Sequence, residues 1–243
     1  MRIIGDISYG SDPAQVLKVY LPDGDTAKAA MLYLHGGGLE KGTHELKEGA
    51  YALIEQGYAI VSAQYRMYPQ AHFPDYIEDS ADAAAWICAH LKEYIQCERL
   101  FISGSSAGAY LSMMLFLDEH YLVERGLDAH AFEGYLFNAG QPTTHFNVLR
   151  ERGLDERLIR VDEAAPIYFL NENTARTPAP RLLVMLAEND MAGRKEQTDM
   201  LMHTFRHFGY PEDRLQLITM NGFRHCKYDW NPDFVRILAD FMA

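Results

Sequence analysis

The sequence predicts an α/β protein with a mostly parallel central β-sheet and helices on both of its faces. Short apolar runs alternate along the chain with longer segments whose apolar residues recur at helical spacing, which is typical of βαβ units. The 243 residues are 48% hydrophobic and 23% charged, a composition that excludes disordered, collagen-like and coiled-coil chains. We expect one domain, 1–243, because no linker-like stretch or internal repeat interrupts the chain.

The predicted strands are the short apolar runs at 16–20, 30–34, 59–63, 100–103, 134–138, 182–186 and 215–219. Helical spacing predicts a helix from about Tyr76, with an apolar stripe that ends at Leu91, and further helices at 109–117 and around 201–208. A last helix follows Pro232, a residue tolerated in the first turn because its missing N–H has no partner there. Residues 141–180 show no clear pattern, and we interpret them as a possible lid.

The charge balance and the cysteines limit the partners and the compartment. Lys and Arg number 22 against 34 Asp and Glu, and the resulting net charge of −12 disfavours nucleic acid and anionic membranes as partners. Cys88, Cys97 and Cys226 cannot all pair within one chain and show no CxxC spacing, so we expect free thiols. The start has no secretion-type apolar run, and a cytoplasmic location is the expectation. The oligomeric state is not predicted.

A G-x-S-x-G motif lies where the strand 100–103 leads into a helix, as Gly104-Ser105-Ser106-Ala107-Gly108. Such a turn is sharp, so its apical residue is strained, and glycines on either side leave room for it. The motif predicts that Ser106 projects its hydroxyl from the sheet as a nucleophile. The bland alternative is a serine in a glycine-rich helix N-terminus, and only the rest of the site decides between the two.

A second glycine motif, His35-Gly36-Gly37-Gly38, follows the strand 30–34. A flexible turn is the bland interpretation of three glycines. The functional interpretation is an oxyanion hole, in which bare backbone N–H groups approach a tetrahedral intermediate. We predict Gly37, Gly38 and Ala107 as its donors, since Ala107 follows the nucleophile.

A serine nucleophile needs a base and an orienting acid. Among ten histidines we favour His225, which follows the predicted strand 215–219 through a turn at 220–224 that leads to the carboxyl edge of the sheet. Two carboxylates follow the strand 182–186, and we favour Asp190 over Glu188 as the acid. The chain order Ser106, Asp190, His225 is the Ser…Asp…His order of one hydrolase fold.

With these residues the chain resembles the α/β-hydrolases of the carboxylesterase and hormone-sensitive-lipase-like group. The group's pattern Y-R-x-x-P…F-P…D is similar to a stretch of this chain, Gln64-Tyr65-Arg66-Met67-Tyr68-Pro69, which is followed by Phe73-Pro74 and Glu78-Asp79. Two departures stand out. Leu39 and Glu40 follow the glycines where family members commonly carry a bulky aromatic residue, and the long N-terminal cap of larger relatives is missing, which argues against lipid-like substrates.

The resemblance implies a compact microbial esterase or acetylesterase that cleaves small acyl esters with Ser106, Asp190 and His225. An arylformamidase-type amidase with the same triad and a non-catalytic binding protein of the same fold remain open. No cofactor and no metal are expected, because phosphate-loop, dinucleotide-binding and H-E-x-x-H motifs do not occur. The acyl and alcohol pockets are not predicted. The candidates for them are aromatic or imidazole side chains near the motifs: Tyr68, His72, Phe73, His145 and Phe146.

Overall fold

The computed structural model describes all residues, 1–243, and its centre is one eight-stranded sheet. The strands are β1 (Arg2–Ser8), β2 (Val16–Leu21), β3 (Ala30–Leu34), β4 (Ala59–Ala63), β5 (Leu100–Ser105), β6 (Gly134–Asn138), β7 (Arg181–Asn189) and β8 (Leu215–Arg224). Their order across the sheet is β1-β2-β4-β3-β5-β6-β7-β8. β1 and β2 are antiparallel to their neighbours, and all pairs from β4 to β8 are parallel. The predicted fold class is confirmed.

The helices are α1 (Tyr51–Glu55), α2 (Asp75–His90), α3 (Ala107–Leu117), α4 (His120–Val123), α5 (Phe146–Glu151), α6 (Arg194–His207) and α7 (Pro232–Met242). Short 3₁₀ helices lie at Glu48–Ala50, Leu91–Glu93, Ala129–Ala131, Pro166–Phe169, Glu172–Ala175 and Glu212–Arg214. The predicted helix from about Tyr76 begins one residue earlier, at Asp75. The helix after Pro232 begins at that proline, and the one expected around 201–208 begins earlier, at Arg194.

Two hydrophobic layers cover the sheet, one on each face. Side chains of a strand alternate between them: in β3, Ala30, Leu32 and Leu34 belong to one layer, whereas Met31 and Tyr33 belong to the other. The helices α2, α3 and α6 pack in the first layer, and α1 and α7 in the second. All of α3 is buried, so the helix that follows the G-x-S-x-G motif is fixed on every side.

Two elements differ from the sequence-based expectation. β1 was not predicted, because its exposed side chains and a register irregularity between Ile4 and Ile7 break the apolar alternation of a half-buried strand. The turn predicted at 220–224 is wrong, since β8 continues through Arg224 and pairs with β7 there. β8 is an edge strand with many exposed positions, so composition alone places its end too early. His225 therefore follows directly on a long strand.

Residues 141–180 connect β6 to β7 and include α5. They pack against the carboxyl end of the sheet: Asn147 Nδ2 donates to the Gly38 carbonyl at 3.0 Å, and Tyr110 OH donates to the Ala164 carbonyl at 3.0 Å. The segment thus lies beside the glycine loop, as a lid would, and its role as a lid stays a prediction. No helix in the structure has the length and apolar character needed to cross a membrane.

Candidate active site

Ser106 stands alone between β5 and α3, in a backbone conformation that L-residues rarely adopt. Its φ is 56° and its ψ is −112°, and such strain persists only where the surrounding structure enforces it. Gly104 and Gly108 enforce it, because a Cβ on Gly104 would overlap the Gly108 carbonyl and a Cβ on Gly108 would overlap the Leu34 carbonyl. The turn can therefore be built only with glycines at these two positions.

The structure brings Ser106, His225 and Asp190 into one hydrogen-bonded row, although 119 and 35 residues separate the bonded pairs along the chain. Ser106 Oγ lies 2.8 Å from His225 Nε2, and His225 Nδ1 lies 2.6 Å from Asp190 Oδ1. In the tautomer with its proton on Nδ1, His225 donates to the carboxylate and accepts from the serine hydroxyl. This is the arrangement that activates a serine.

Asp190 is held as an ionised carboxylate. Its side chain is only 2% exposed, and burial by itself would raise its pKa. The hydrogen bond with His225 and those donated by the backbone N–H groups of Met191, at 2.7 Å, and Ala187, at 3.1 Å, outweigh burial, so the pKa of Asp190 is lowered from 3.8. The N–H donors also fix the direction of the carboxylate toward the imidazole.

Glu188, the alternative acid, does not reach His225. It lies within β7, is exposed, and accepts a hydrogen bond from the Gly222 N–H at 2.7 Å. The end of β7 explains the outcome, since residues 188 and 189 are still in the strand and Asp190 is the first residue after it.

The loop Gly36-Gly37-Gly38 lies against the nucleophile turn. A Cβ on Gly36 would come 2.8 Å from the Ser105 carbonyl oxygen, so the two backbones are in direct contact. Gly37 and Gly38 have φ of 125° and 69°, which favour glycine. Neither of their N–H groups donates to a protein acceptor. Ala107 begins α3, so its N–H has no partner within the helix either.

His35, at the start of this loop, is a packing residue and not a base. Its imidazole is 5% exposed, stacks on the Tyr65 ring at 4.4 Å between centroids, and lies 2.7 Å by Nδ1 from the Gly36 carbonyl. Burial lowers the pKa of His35 to about 4, so the ring is neutral at pH 7. Tyr65 OH donates to the His35 carbonyl at 2.7 Å, which fixes the end of β3 from the other side.

The stretch that contains Tyr65 is anchored by an ion pair between Arg66 and Asp79. Arg66 Nη2 lies 2.7 Å from Asp79 Oδ1, and Nε and the backbone N–H of Arg66 also donate to this carboxylate. Gln15 Nε2 completes the set at 2.8 Å. Asp79 is fully buried in α2. The ion pair thus fixes the backbone next to Tyr65, and Tyr65 in turn fixes the start of the glycine loop through its hydrogen bond to the His35 carbonyl.

A second polar network behind Ser106 was missed from the sequence. Asn138 Nδ2 donates to Ser105 Oγ at 2.9 Å and to Asp229 Oδ1 at 2.8 Å, and Tyr228 OH donates to Asn138 Oδ1 at 2.6 Å. Burial raises the pKa of Asp229, which is the opposite of the shift at Asp190. The available signal was position: Asn138 ends β6, and Asp229 follows His225 by four residues.

The cleft over Ser106 has a volume of about 670 Å³ and is lined by both glycine motifs and His225. Five side chains supply its hydrophobic walls: Tyr33, Phe146, Met191, Cys226 and Trp230. Polar side chains that also line it include Glu40, Lys41, Thr43, Glu45, Lys47 and Asp229. Of the five pocket candidates from the sequence, Phe146 alone lines this cleft.

The other four candidates lie outside it. His145 is buried and accepts a hydrogen bond from the Asn147 N–H at the start of α5. Tyr68 and His72 pack edge to face on each other, and Phe73 lies under the Arg152 guanidinium. Leu39, where relatives commonly carry an aromatic residue, is fully buried in the core, and Glu40 pairs with Arg150.

Comparison with solved structures identifies the fold. A truncated carbohydrate esterase from gut microbiota is 17% identical with a TM-score of 0.80, and the match covers 100% of this chain and 95% of that one. An esterase from Pyrobaculum calidifontis is 20% identical with a TM-score of 0.74, covering 99% and 84%. At such identities the likeness shows the fold alone, and the chain has the α/β-hydrolase fold.

Sequence comparison finds a family model and curated relatives that match part of the chain. The BD-FAE family model matches residues 17–135. An arylacetamide deacetylase from Oryctolagus cuniculus is 35% identical over 105 residues, 40% of this chain and 26% of that protein. An acetyl esterase from Salmonella paratyphi B is 30% identical over 100 residues, 40% and 30%. Over these partial matches the chain is similar to esterases and deacetylases, and the family model covers 119 of its 243 residues. The matches span only 24% to 39% of the length of such curated relatives.

Proposed function

We propose that this protein is a serine esterase that cleaves carboxylic esters of small acyl groups. The observation that carries the proposal is the row of hydrogen bonds at 2.8 and 2.6 Å from Ser106 through His225 to Asp190. Strained backbone at Ser106 and free amides opposite it are the other parts that acyl transfer needs. Similarity to relatives such as the acetyl esterase from Salmonella paratyphi B supports the same reaction class.

In the first half of the reaction, Ser106 Oγ bonds to the ester carbonyl carbon while its proton moves to His225 Nε2. Asp190 keeps the imidazole in the tautomer with Nδ1 protonated and stabilises the imidazolium that forms. The carbonyl oxygen becomes an oxyanion, which accepts hydrogen bonds from the N–H groups of Gly37, Gly38 and Ala107. Each such donor typically contributes about 2.7–4 kcal/mol to the transition state.

When the intermediate collapses, the bond between the carbonyl carbon and the alkoxy oxygen breaks, and the alcohol leaves with the proton from Nε2. A water molecule then gives a proton to Nε2 and attacks the acyl-serine through the same oxyanion arrangement. Breakdown of the second intermediate releases the carboxylic acid and returns the proton to Ser106. The chain's own residues supply every proton transfer in this cycle.

The shape and polarity of the cleft favour a small acyl group and a polar alcohol. A Cβ on Gly38 would lie 3.0 Å from the Phe146 ring, so Phe146 closes the space above the proposed oxyanion hole. Lys41, Glu45 and Lys47, which line the same cleft, offer hydrogen-bonding groups suited to hydroxyl-rich alcohols such as sugars. We therefore propose acetyl-like esters as substrates, and we expect kcat/KM to fall from acetyl to octanoyl p-nitrophenyl esters.

The nucleophile is tested with Ser106→Ala and p-nitrophenyl acetate. We expect kcat to fall by on the order of 10⁴–10⁶-fold, because the acyl-enzyme can no longer form. Ser112→Ala is the matched control: Ser112 lies in α3, the helix that follows Ser106, and its hydroxyl donates to the Gly108 carbonyl at 2.9 Å. Wild-type turnover in Ser106→Ala, or an equal loss in both variants, would refute the assignment. A fluorophosphonate probe should label wild type and not Ser106→Ala.

Domain organisation and compartment remain part of this proposal. We propose that residues 1–243 form a single α/β-hydrolase domain with 141–180 as its lid, supported by one continuous sheet and by the position of α5 beside Gly38. Free thiols at Cys88, Cys97 and Cys226 support a reducing compartment such as the cytoplasm.

A further inference from the structure

Arg194, the first residue of α6, is a buried cation without a partner. It is 4% exposed, its Nε and Nη1 atoms are buried without a hydrogen-bond acceptor, and no carboxylate oxygen lies within ion-pair distance. Buried charges in proteins are normally paired, because removal from water penalises a lone charge heavily. The mechanism proposed above does not use this side chain, so its position calls for another explanation.

The charged neighbours of Arg194 do not neutralise it. Asp190 is the nearest acid in electrostatic effect, but its oxygens already accept hydrogen bonds from His225 and two backbone N–H groups. Burial lowers the pKa of His145 well below 6.5, so that ring carries no charge at pH 7. Of the other charged groups around the same space, Arg150 pairs with Glu156 and Arg157 pairs with Asp155. One positive charge is left over, and it belongs to Arg194.

Arg194 lines a cavity of about 440 Å³ that adjoins the cleft. Phe146 and Met191 line both spaces, so the cavity begins where the walls around Ser106 end. Gln197 also lines it; its Oε1 accepts from Thr143 Oγ1 at 2.9 Å, which leaves its NH₂ group available as a donor. A guanidinium with a neighbouring amide donor is a good receptor for a planar anion of two oxygens.

We propose that Arg194 and Gln197 bind a carboxylate group of the substrate in this cavity, while its ester lies at Ser106. The inference rests on the proposed function and deepens it: among esters of small acyl groups, those that also carry a carboxylate are preferred. The carboxylate could belong to the acyl part, as in a dicarboxylic half-ester, or to the alcohol part, as in an acylated hydroxy acid. Both place the same two oxygens on the same guanidinium.

Matched pairs of esters test the proposal and distinguish the two sources. For the acyl part, 4-nitrophenyl hydrogen glutarate is compared with the neutral 4-nitrophenyl pentanoate, which has the same chain length. For the alcohol part, 4-acetoxybenzoate is compared with 4-acetoxybenzamide. We expect kcat/KM to favour the carboxylate by about tenfold or more in one pair, since charge-assisted hydrogen bonds to Arg are strong. In Arg194→Met that ratio should fall to about one.

Arg206→Met is the matched control, because it removes the same charge from the exposed end of the same helix, where Arg206 pairs with Glu212. Its selectivity ratio should equal that of wild type. Arg194→Lys keeps a charge without the planar fork and should give an intermediate ratio. A wild-type ratio near one in both pairs overturns the proposal, as does a preference that survives Arg194→Met or that Arg206→Met abolishes equally.

A binding measurement separates this proposal from the proposed function. Sodium glutarate is titrated calorimetrically into Ser106→Ala, which needs no turnover, and into Ser106→Ala/Arg194→Met. We expect heat of binding in the first protein and none in the second, with both folded by circular dichroism. If the neutral esters are not hydrolysed but glutarate binds through Arg194, the esterase assignment fails and the carboxylate site stands. If glutarate does not bind, the carboxylate site is wrong even when the esters are cleaved.

Discussion

Two buried aspartates, Asp79 and Asp190, have similar surroundings and different consequences. Both side chains are essentially hidden from solvent, and both accept hydrogen bonds from backbone N–H groups as well as from a basic side chain. The difference is the partner. The hydrogen bonds with Asp79 raise the pKa of Arg66 further above its usual range, so this guanidinium never releases its proton. His225 presents Nε2 to Ser106 Oγ at 2.8 Å, so its imidazole can take a proton from the serine and pass it on. The first pair fixes the fold, and the second fits proton transfer.

Substitution of the two aspartates should have its most different effects on catalytic activity. Asp190→Asn should lower kcat for p-nitrophenyl acetate by about 10⁴-fold, because an amide favours the wrong imidazole tautomer and cannot stabilise the imidazolium. Asp79→Asn should lower the turnover of the folded fraction far less, since Asp79 touches no reacting group. Steady-state kinetics at pH 7.5 measures both. Glu188→Gln is the matched control at a nearby carboxylate, and loss of activity in Glu188→Gln alone would show that Asp190 is not the acid.

For stability we expect the opposite order: Asp79→Asn should lower the free energy of unfolding more than Asp190→Asn does. Asp79→Asn leaves the Arg66 guanidinium without its carboxylate, and breaking a buried pair from one side costs about 3–5 kcal/mol of unfolding free energy. Urea denaturation followed by far-UV circular dichroism measures the loss. If this variant does not fold, Asp79→Leu/Arg66→Met provides the test, because replacing both partners by apolar side chains should restore much of the stability. An unchanged urea midpoint in Asp79→Asn would contradict the structural role.

Acid titration sharpens the comparison through His35, which is tied by Tyr65 to the Arg66–Asp79 anchor. Burial lowers the pKa of His35 to about 4 from 6.5, so the unfolded chain takes up this proton first. Its contribution to stability is complete above pH 6.5 and is lost as the pH falls toward 4, a total of about 3 kcal/mol. The lowered pKa of Asp190 places its own loss of stability below pH 3.8.

Urea denaturation of wild type and His35→Gln between pH 7.5 and 4 tests this expectation. In wild type the free energy of unfolding should decrease as the pH is lowered from 7.5 to 4. It should decrease less in His35→Gln, which has no titrating ring at this position. Arg66 contributes nothing to the slope, because it stays charged throughout this range. Parallel pH profiles for the two proteins would contradict the buried, neutral state of His35.

The sequence predicts the fold well where one strong constraint acts on each segment. Strands buried on both faces are continuous apolar runs, and β3, β4 and β6 have the predicted bounds. The edge strands β1 and β8 follow a weaker pattern because half of their side chains face solvent, and there the prediction misses a strand and ends another too early. The boundary of β8 matters, since it determines how His225 enters the site.

For the candidate site, local motifs locate Ser106 and the glycine loop because their backbone demands glycine at set positions. The other residues of the site cannot be predicted in this way, because they lie far apart along the chain. The network of Ser105, Asn138 and Asp229 joins residues from three separate segments, and no one of these segments carries a distinguishing pattern. Arg194 is similar: on a helix with many exposed charged residues, only burial reveals that this one faces inward.

The backbone contact between the two glycine loops has a consequence for protein engineering. Gly36 lies against the Ser105 carbonyl and Gly108 against the Leu34 carbonyl, so these two contacts join main chain to main chain and offer no side chain that could be trimmed or enlarged. A mutant library aimed at new substrates gains nothing by randomising Gly36 and Gly108. Diversity belongs in the walls, at Phe146, Met191 and Trp230, where side chains alone set the shape.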